Sequence, residues 1–328
     1  MSEILLDSVV AKSGYPVYDL YGLRICSEIV LPAPLSSKTD LTQDTIVVQW
    51  EKTPAVSDCP PTGSVLAKLD LGNEHGYLLS RADTGYTLHF YRTCEFWICH
   101  DLRVVRVRLF PGVDPDMAAI FLVGNVMASI LLLAGEYTLH ASAVEIEGSA
   151  LAFVGHSGMG KSTLAALLCS SGASFITDDV LRLRPNDSGF GCFRGTGEIR
   201  LRPGASALAE YHPGGGVRET SDGRIAVQFE HDPAIPSLSA IVIPLPSRHC
   251  HRIGLKRLSR SRALLSLMSY PRIQGLQEKE YIRGQFDFFA LIASNVPVFE
   301  AEIPWGPPFS ADIAPVLMGI IRSSVLAV

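Results

Sequence analysis

A buried strand runs into the segment FVGHSGMGKSTLAALL, residues 153–168, and a helix runs out of it. Between them stand three glycines in six positions, Gly155, Gly158 and Gly160. An ordinary strand–helix turn needs no such freedom. Glycine tolerates positive φ and lets successive backbone N–H groups turn toward one anion. The start of the following helix adds its own partial positive charge. The spacing GxxxxGK[ST] is met by Gly155, Gly160, Lys161 and Ser162, in the strand-before, helix-after setting that gives the pattern its meaning. The segment therefore reads as a phosphate-binding loop. Gly155, His156, Ser157, Gly158, Met159, Gly160, Lys161, Ser162 and Thr163 are its expected nucleotide contacts. Lys161 would reach the β- and γ-phosphates, and the Ser162 hydroxyl would ligate Mg²⁺.

What is done with the phosphate depends on the acids nearby. ASFITDDVLRL (173–183) reads as the strand that returns after the helix, and it carries Asp178 and Asp179. In a parallel sheet the carboxyl ends of neighbouring strands meet at one crevice, so the pair should face the loop. One carboxylate would hold Mg²⁺ and the other would take a proton from an incoming hydroxyl. The residues alone leave open which of Asp178 and Asp179 takes which role. His140 lies one strand earlier, in YTLHASAVEI (137–146), placed to orient an aspartate. Arginines stabilise phosphoryl charge. Arg200, Arg202 and Arg224 follow the acidic pair, and Arg224, in DGRIAVQF, is the preferred candidate.

The ensemble LHASAV…GSALAFVGHSGMGKSTLAALLCSSGASFITDDVLRL resembles the core of HPr kinase/phosphorylase and its relatives. In that family a histidine strand precedes the nucleotide loop and an Asp-Asp pair follows it. The resemblance covers residues 139–183. It implies ATP- and Mg²⁺-dependent phosphorylation of a serine, and a core fold related to phosphoenolpyruvate carboxykinase. It carries His140, Gly155 to Ser162, Asp178 and Asp179 into the site, with Asp178 expected as the base and Asp179, with Ser162, as the metal ligand. The bacterial enzyme's EIRGxG signature is not found; FRGTGEIRLRPG (193–204) has its pieces in another order, which points away from HPr as acceptor. The N-terminal region, with YDLYGLRICSEIVLP, is more similar to the HPr kinase-like proteins of lasso-peptide gene clusters. Those imply a precursor peptide as partner, phosphorylated on its C-terminal serine. A small-molecule kinase, or a nucleotide-dependent regulatory protein without transfer, are the alternatives.

The rest of the chain sets the frame. Residues 1–114 hold short β-branched and aromatic runs such as TIVVQW, YTLHFY and RVVRVRLF, punctuated by Gly, Pro, Asn and Asp. The expected class is α/β (α+β): a mainly antiparallel N-terminal β module over 1–114, then a P-loop kinase domain over 115–328. FPGVDPD (110–116) is the expected boundary, and an acidic cap there starts a helix over MAAIFLVGNVMASILLLA. That run has 18 uncharged residues but is broken by Asn125 and Ser129, so it reads as a buried core helix rather than a stable membrane span. The N-terminus has no basic region before an apolar run, and the odd, scattered set of 7 cysteines fits reduced thiols. Both point to the cytoplasm. A net charge of −5 argues against a nucleic-acid binder. A homo-oligomer is compatible with everything above.

Overall fold

A computed structural model describes residues 14–38, 40–51, 56, 59–70, 76–187, 189–211, 216–230 and 232–325. Residues 1–13 and most of the HPGGG and LGNEHG segments lie outside these residues. The chain forms two compact units. The first holds residues up to Ala134 together with Gln274–Glu278; the second holds Gly135–Ile273 and Lys279 onward.

The first unit is one eight-stranded sheet: β1 (Val17–Leu20), β2 (Leu23–Ser27), β3 (Ile46–Trp50), β4 (Ser64–Leu69), β5 (Tyr77–Ala82), β6 (Gly85–Phe90), β7 (Cys94–Ile98) and β8 (Val104–Leu109). Its order is β1-β2-β3-β8-β7-β6-β5-β4. The first apolar run is not one strand but a hairpin. Tyr21 and Gly22 both have positive φ, 56° and 70°, the two-residue turn that matches strand twist. The sheet is also less uniformly antiparallel than its short strands suggest, because β3 pairs in parallel with both β2 and β8. Gln274–Glu278 returns to cover the β4 edge, where Lys68 donates to the Gly275 carbonyl at 2.9 Å. Gly275 has φ +71° and no room for a side chain: a Cβ there would lie 1.9 Å from that lysine's carbonyl oxygen.

The apolar helix α1 (Pro115–Leu133) belongs to this first unit, not to the second. The units therefore divide 20 residues later than the punctuation at 110–116 suggests. Asp114 caps the helix by accepting from the Asp116 N–H at 2.9 Å. Phe121 then stacks on Phe90 of β6, with centroids 4.0 Å apart. The middle turn, Leu122–Val126, is a π-bulge, and the buried Tyr21 hydroxyl donates to the Val123 carbonyl there at 3.0 Å. Alone among the described helices α1 is long and apolar enough to cross a bilayer; 72% of its apolar window is buried in the protein.

The second unit contains β9 (Thr138–Leu139), β10 (Ala141–Ile146), β11 (Ser149–Val154), helix α2 (Lys161–Ser170), β12 (Ser174–Thr177), β13 (Leu181–Asn186) and β14 (Gly189–Cys192). A small three-stranded sheet follows, built from β15 (Glu198–Leu201), β16 (Val217–Glu219) and β17 (Ile225–Gln228) in the order β15-β17-β16. Then come β18 (Ser237–Ser247), β19 (Gly254–Arg257), α3 (Arg260–Leu267), α4 (Lys279–Asn295), β20 (Val298–Pro304) and α5 (Ile313–Val325). The main sheet runs β12-β10-β11-β18-β14-β13-β9, with β20 on β18 and β19 on β20. Side-chain alternation along β11 builds two cores. Leu151 and Phe153 face a core shared with α2 and α5, while Ala150, Ala152 and Val154 face one shared with α3 and α4. The result is a sheet with helices on both faces.

The sequence suggests that β11 and β12 are parallel neighbours, but β10 lies between them, antiparallel to each. This keeps the carboxyl ends of β11 and β12 at one edge. It also brings the start of β10 to that same edge. Two expected strands are broken in the same place: 137–146 is interrupted at His140, and 173–183 at Asp178–Val180. The chemistry-bearing residues occupy those breaks.

Candidate functional site

The glycine loop leaves β11 at Gly155 and enters α2 at Lys161. Gly158 and Gly160 have φ of 91° and 81°, which a residue with a Cβ rarely adopts. Lys161 is only 6% exposed, unusual for lysine. Its ammonium folds over its own loop and donates to the carbonyls of Gly155 at 2.9 Å and His156 at 3.1 Å. Burial pushes its pKa down to about 8, helped by Arg272 and Arg224 and opposed by Asp178 and Asp179.

Of the nine expected nucleotide contacts, Ser157, Gly158, Gly160, Lys161, Ser162 and Thr163 line a cleft of about 310 Å³. Gly155, His156 and Met159 are not among its lining residues. Met159 packs back on Gly155 and on the core shared with α3 and α4, its sulfur accepting from the His156 N–H at 3.0 Å. The His156 ring meets Tyr270 edge-on at 4.8 Å. These residues shape the loop from behind.

The acids divide the site differently from the sequence expectation. Asp178 is 7% exposed, and one of its oxygens accepts from the Ser162 hydroxyl at 2.8 Å and from the Ser142 hydroxyl of β10. Its other oxygen accepts from the Arg200 backbone N–H at 3.3 Å. The carboxylate beside Ser162 is thus Asp178, not Asp179. The reason is the backbone. Asp179 has φ of 78°, and the Thr177 hydroxyl donates to the Val180 carbonyl at 2.7 Å, so the chain turns sharply after β12. Asp179 is swung the other way. Its carboxylate accepts from Arg272 at 2.8 Å, lies 3.3 Å from His140 Nε2, and has the Arg200 guanidinium at 3.9 Å.

Burial works to raise the Asp179 carboxyl, but Arg272, His140 and Arg200 outweigh it and hold the group far below the usual carboxylate range. Burial, with Lys161, Arg272 and His156 nearby, takes His140 down to about 3 against the pull of Asp179. The imidazole is therefore neutral at pH 7 beside an ionised carboxylate.

The small sheet delivers the remaining cations. Arg200 on β15 and Arg224 before β17 share Asp222, at 3.0 and 3.2 Å. Arg202 donates to Ser157 of the glycine loop at 2.8 Å. All three line the cleft, as does Arg248. A chain of net charge −5 thus places four arginines and Lys161 around one cavity. Arg224 pairs with Asp222, whereas Arg272 and Arg200 meet Asp179. Arg272 carried no local signal: it lies 93 residues from Asp179 and is brought in by backbone pairing alongside β9, its N–H donating to the Thr138 carbonyl at 2.9 Å. Ser142, Asp222 and Trp305 were equally invisible.

The donor set suits a hard cation. A serine hydroxyl and a carboxylate oxygen sit within hydrogen-bond reach at the start of α2, and Mg²⁺ takes one or two such ligands and completes its shell with phosphate and water. Among the described residues no cluster of three or more His, Cys, Asp and Glu side chains could hold a metal without such help.

No protein-family model matches the chain, and no curated protein matches it. Among solved structures, the Hpr(Ser) kinase/phosphatase from Coxiella burnetii is similar at 15% identity, over 58% of this chain and 91% of that one, with a TM-score of 0.31. A likeness of that degree carries no chemistry across.

Proposed function

We propose that the chain is an Mg²⁺- and ATP-dependent kinase that phosphorylates a serine hydroxyl. The observation that carries the reading is the split of the two aspartates. Asp178 shares a hydrogen bond with Ser162 at the head of a glycine loop, and Asp179 is held by His140, Arg272 and Arg200. Nucleotide binding alone does not need the second carboxylate.

In this reading, bound Mg-ATP supplies the γ-phosphoryl group. Loop N–H groups, Lys161 and Arg202 bind its phosphates. Ser162 and Asp178 would hold the metal. Asp179 accepts the proton of the attacking hydroxyl, and neutral His140 fixes the orientation of that carboxylate. Arg200 and Arg272 stabilise negative charge on the transferring group, a role in which they replace the expected Arg224. The metal and base roles are exchanged relative to the sequence expectation.

The acceptor we propose is a precursor peptide ending in serine, as the lasso-kinase resemblance implies. A C-terminal serine brings a carboxylate along with its hydroxyl, and a cleft lined by Arg224 and Arg248 suits such an anion. Incubation with Mg-ATP and a serine-ended precursor peptide should add phosphate to the terminal residue, read by fragmentation mass spectrometry. Efficient phosphorylation of sugars or hydroxy acids, with peptides ignored, would instead select the small-molecule kinase.

A further inference from the structure

One wall of the cleft has no task in the phosphate chemistry. It is aromatic, in a cavity otherwise dominated by charged and small residues. Trp305 follows β20 directly, and its N–H donates to the Ser247 carbonyl at 3.0 Å, which ties it to the end of β18. The outer edge of its six-membered ring lies against the glycine that opens α2: a Cβ built on Gly160 would stand 2.1 Å from the nearest ring atom. Phe309 meets the same ring nearly edge-on, with centroids 5.2 Å apart and planes at 77°. Both rings are half-buried against the core shared with α2 and α5, and both also line the cleft, with Thr163 and Pro307. One part of the indole is therefore anchored in the protein while another looks into the cavity.

Burial alone explains a tryptophan poorly here. A core tryptophan would be covered, and a surface one would not reach over a glycine loop. An anchored aromatic surface beside a phosphate-binding loop matches a molecule that joins a flat heteroaromatic ring to a chain of phosphates. We infer that Trp305, braced by Phe309, is the stacking platform for the base of the bound nucleotide. The inference rests on the reading of residues 155–163 as the phosphate site. Stacking uses the π-face that every base has, so the platform supplies affinity without choosing between adenine and guanine.

The test uses the full-length protein and three probes: Mg-ATP, Mg-GTP and Mg-tripolyphosphate, titrated calorimetrically into wild type, Trp305→Ala, Trp305→Phe and Lys161→Ala. Loss of base stacking should weaken ATP and GTP binding to Trp305→Ala by about 5- to 100-fold. Tripolyphosphate, which has no base, should bind that variant within about 2-fold of wild type. Trp305→Phe, which keeps an aromatic face, should recover most of the nucleotide affinity. Intrinsic fluorescence gives a second reading that needs no alanine variant: Mg-ATP should change the wild-type emission, tripolyphosphate should change it much less, and Trp305→Phe should abolish the difference. The inference is overturned if Trp305→Ala leaves ATP binding unchanged, or if it weakens tripolyphosphate as much as ATP, since the ring would then only shape the loop. Tripolyphosphate binding that survives Lys161→Ala would mark a different failure: the phosphate site itself would be misplaced, and the platform would fall with it.

Discussion

Among the described residues stand two clusters of histidine, carboxylate and arginine, one in each unit. In the first unit, His89 on β6, Glu95 on β7 and Arg108 on β8 are direct cross-strand partners. His89 Nδ1 lies 3.0 Å from Glu95, and Arg108 donates to the other Glu95 oxygen. In the second unit the partners are His140, Asp179 and Arg272. The residue types match; the backbone does not. The first cluster is a rung of a regular antiparallel ladder, with His89 0% exposed. The second stands where two strands break, at a positive φ, with the His140 side chain 21% exposed beside a cleft. Cross-strand pairing turns such a cluster into a structural fastening. Placing it at strand breaks next to a glycine loop makes it available to a substrate. Composition alone could not have told the two apart.

Paired substitutions can break this comparison. Asp179→Asn should lower phosphoryl transfer by about 10²- to 10⁴-fold, the usual worth of a positioned base, and, because it leaves Arg272 and Arg200 without their anion, should also cost about 1–3 kcal/mol of stability. Asparagine keeps the shape and tolerates positive φ. Steady-state kinetics and thermal melts on one preparation would check both halves. Glu95→Gln should lower stability alone. Burial tends to raise the Glu95 carboxyl, but His89 and Arg108 more than offset that and hold it below its ordinary value. Removing the charge leaves both partners poorly matched, at about 1–3 kcal/mol, so the melting temperature should drop by several degrees with the rate per folded molecule unchanged. Equal loss of activity in the two variants would erase the distinction.

A pH profile sharpens it with smaller effects. Lys161, at about 8, loses its proton as pH rises through that value. Phosphate affinity should therefore fall above pH 8, by at most about tenfold per pH unit. His140 acts at the acid end. Its folded value is about 3 and its unfolded value is near 6.5, so between these the unfolded chain binds a proton that the folded chain does not. Stability should fall as pH drops through that window, and His140→Gln should flatten the fall. Urea titrations at pH 7 and pH 5 would show it.

How much of this was legible in the sequence follows the same division. The glycine loop and the acidic pair were legible because their spacing is local: one helix and one strand separate Lys161 from Asp178. Which of the two carboxylates stands beside Ser162 was not, because strand alternation does not reveal the turn at Asp179. Arg272 and Trp305 were hidden because only the tertiary pairing of β9 brings Arg272 to Asp179, and only the register of β18 with β20 brings Trp305 to the cleft. The hairpin at Tyr21–Gly22 did leave a signal, a glycine inside an alternating run. The two parallel pairings of β3 left none, since short β-branched strands read alike in either direction.

The most direct test of the central claim is the Mg²⁺ dependence of ATP binding in the two aspartate variants. Calorimetric titration should give wild type a clear preference for Mg-ATP over ATP in chelator. Asp178→Asn should lose that preference, because the carboxylate beside Ser162 is gone. Asp179→Asn should keep it, even though transfer has collapsed. The contrary result, with Mg²⁺ dependence lost in Asp179→Asn and retained in Asp178→Asn, would contradict the roles drawn from the geometry.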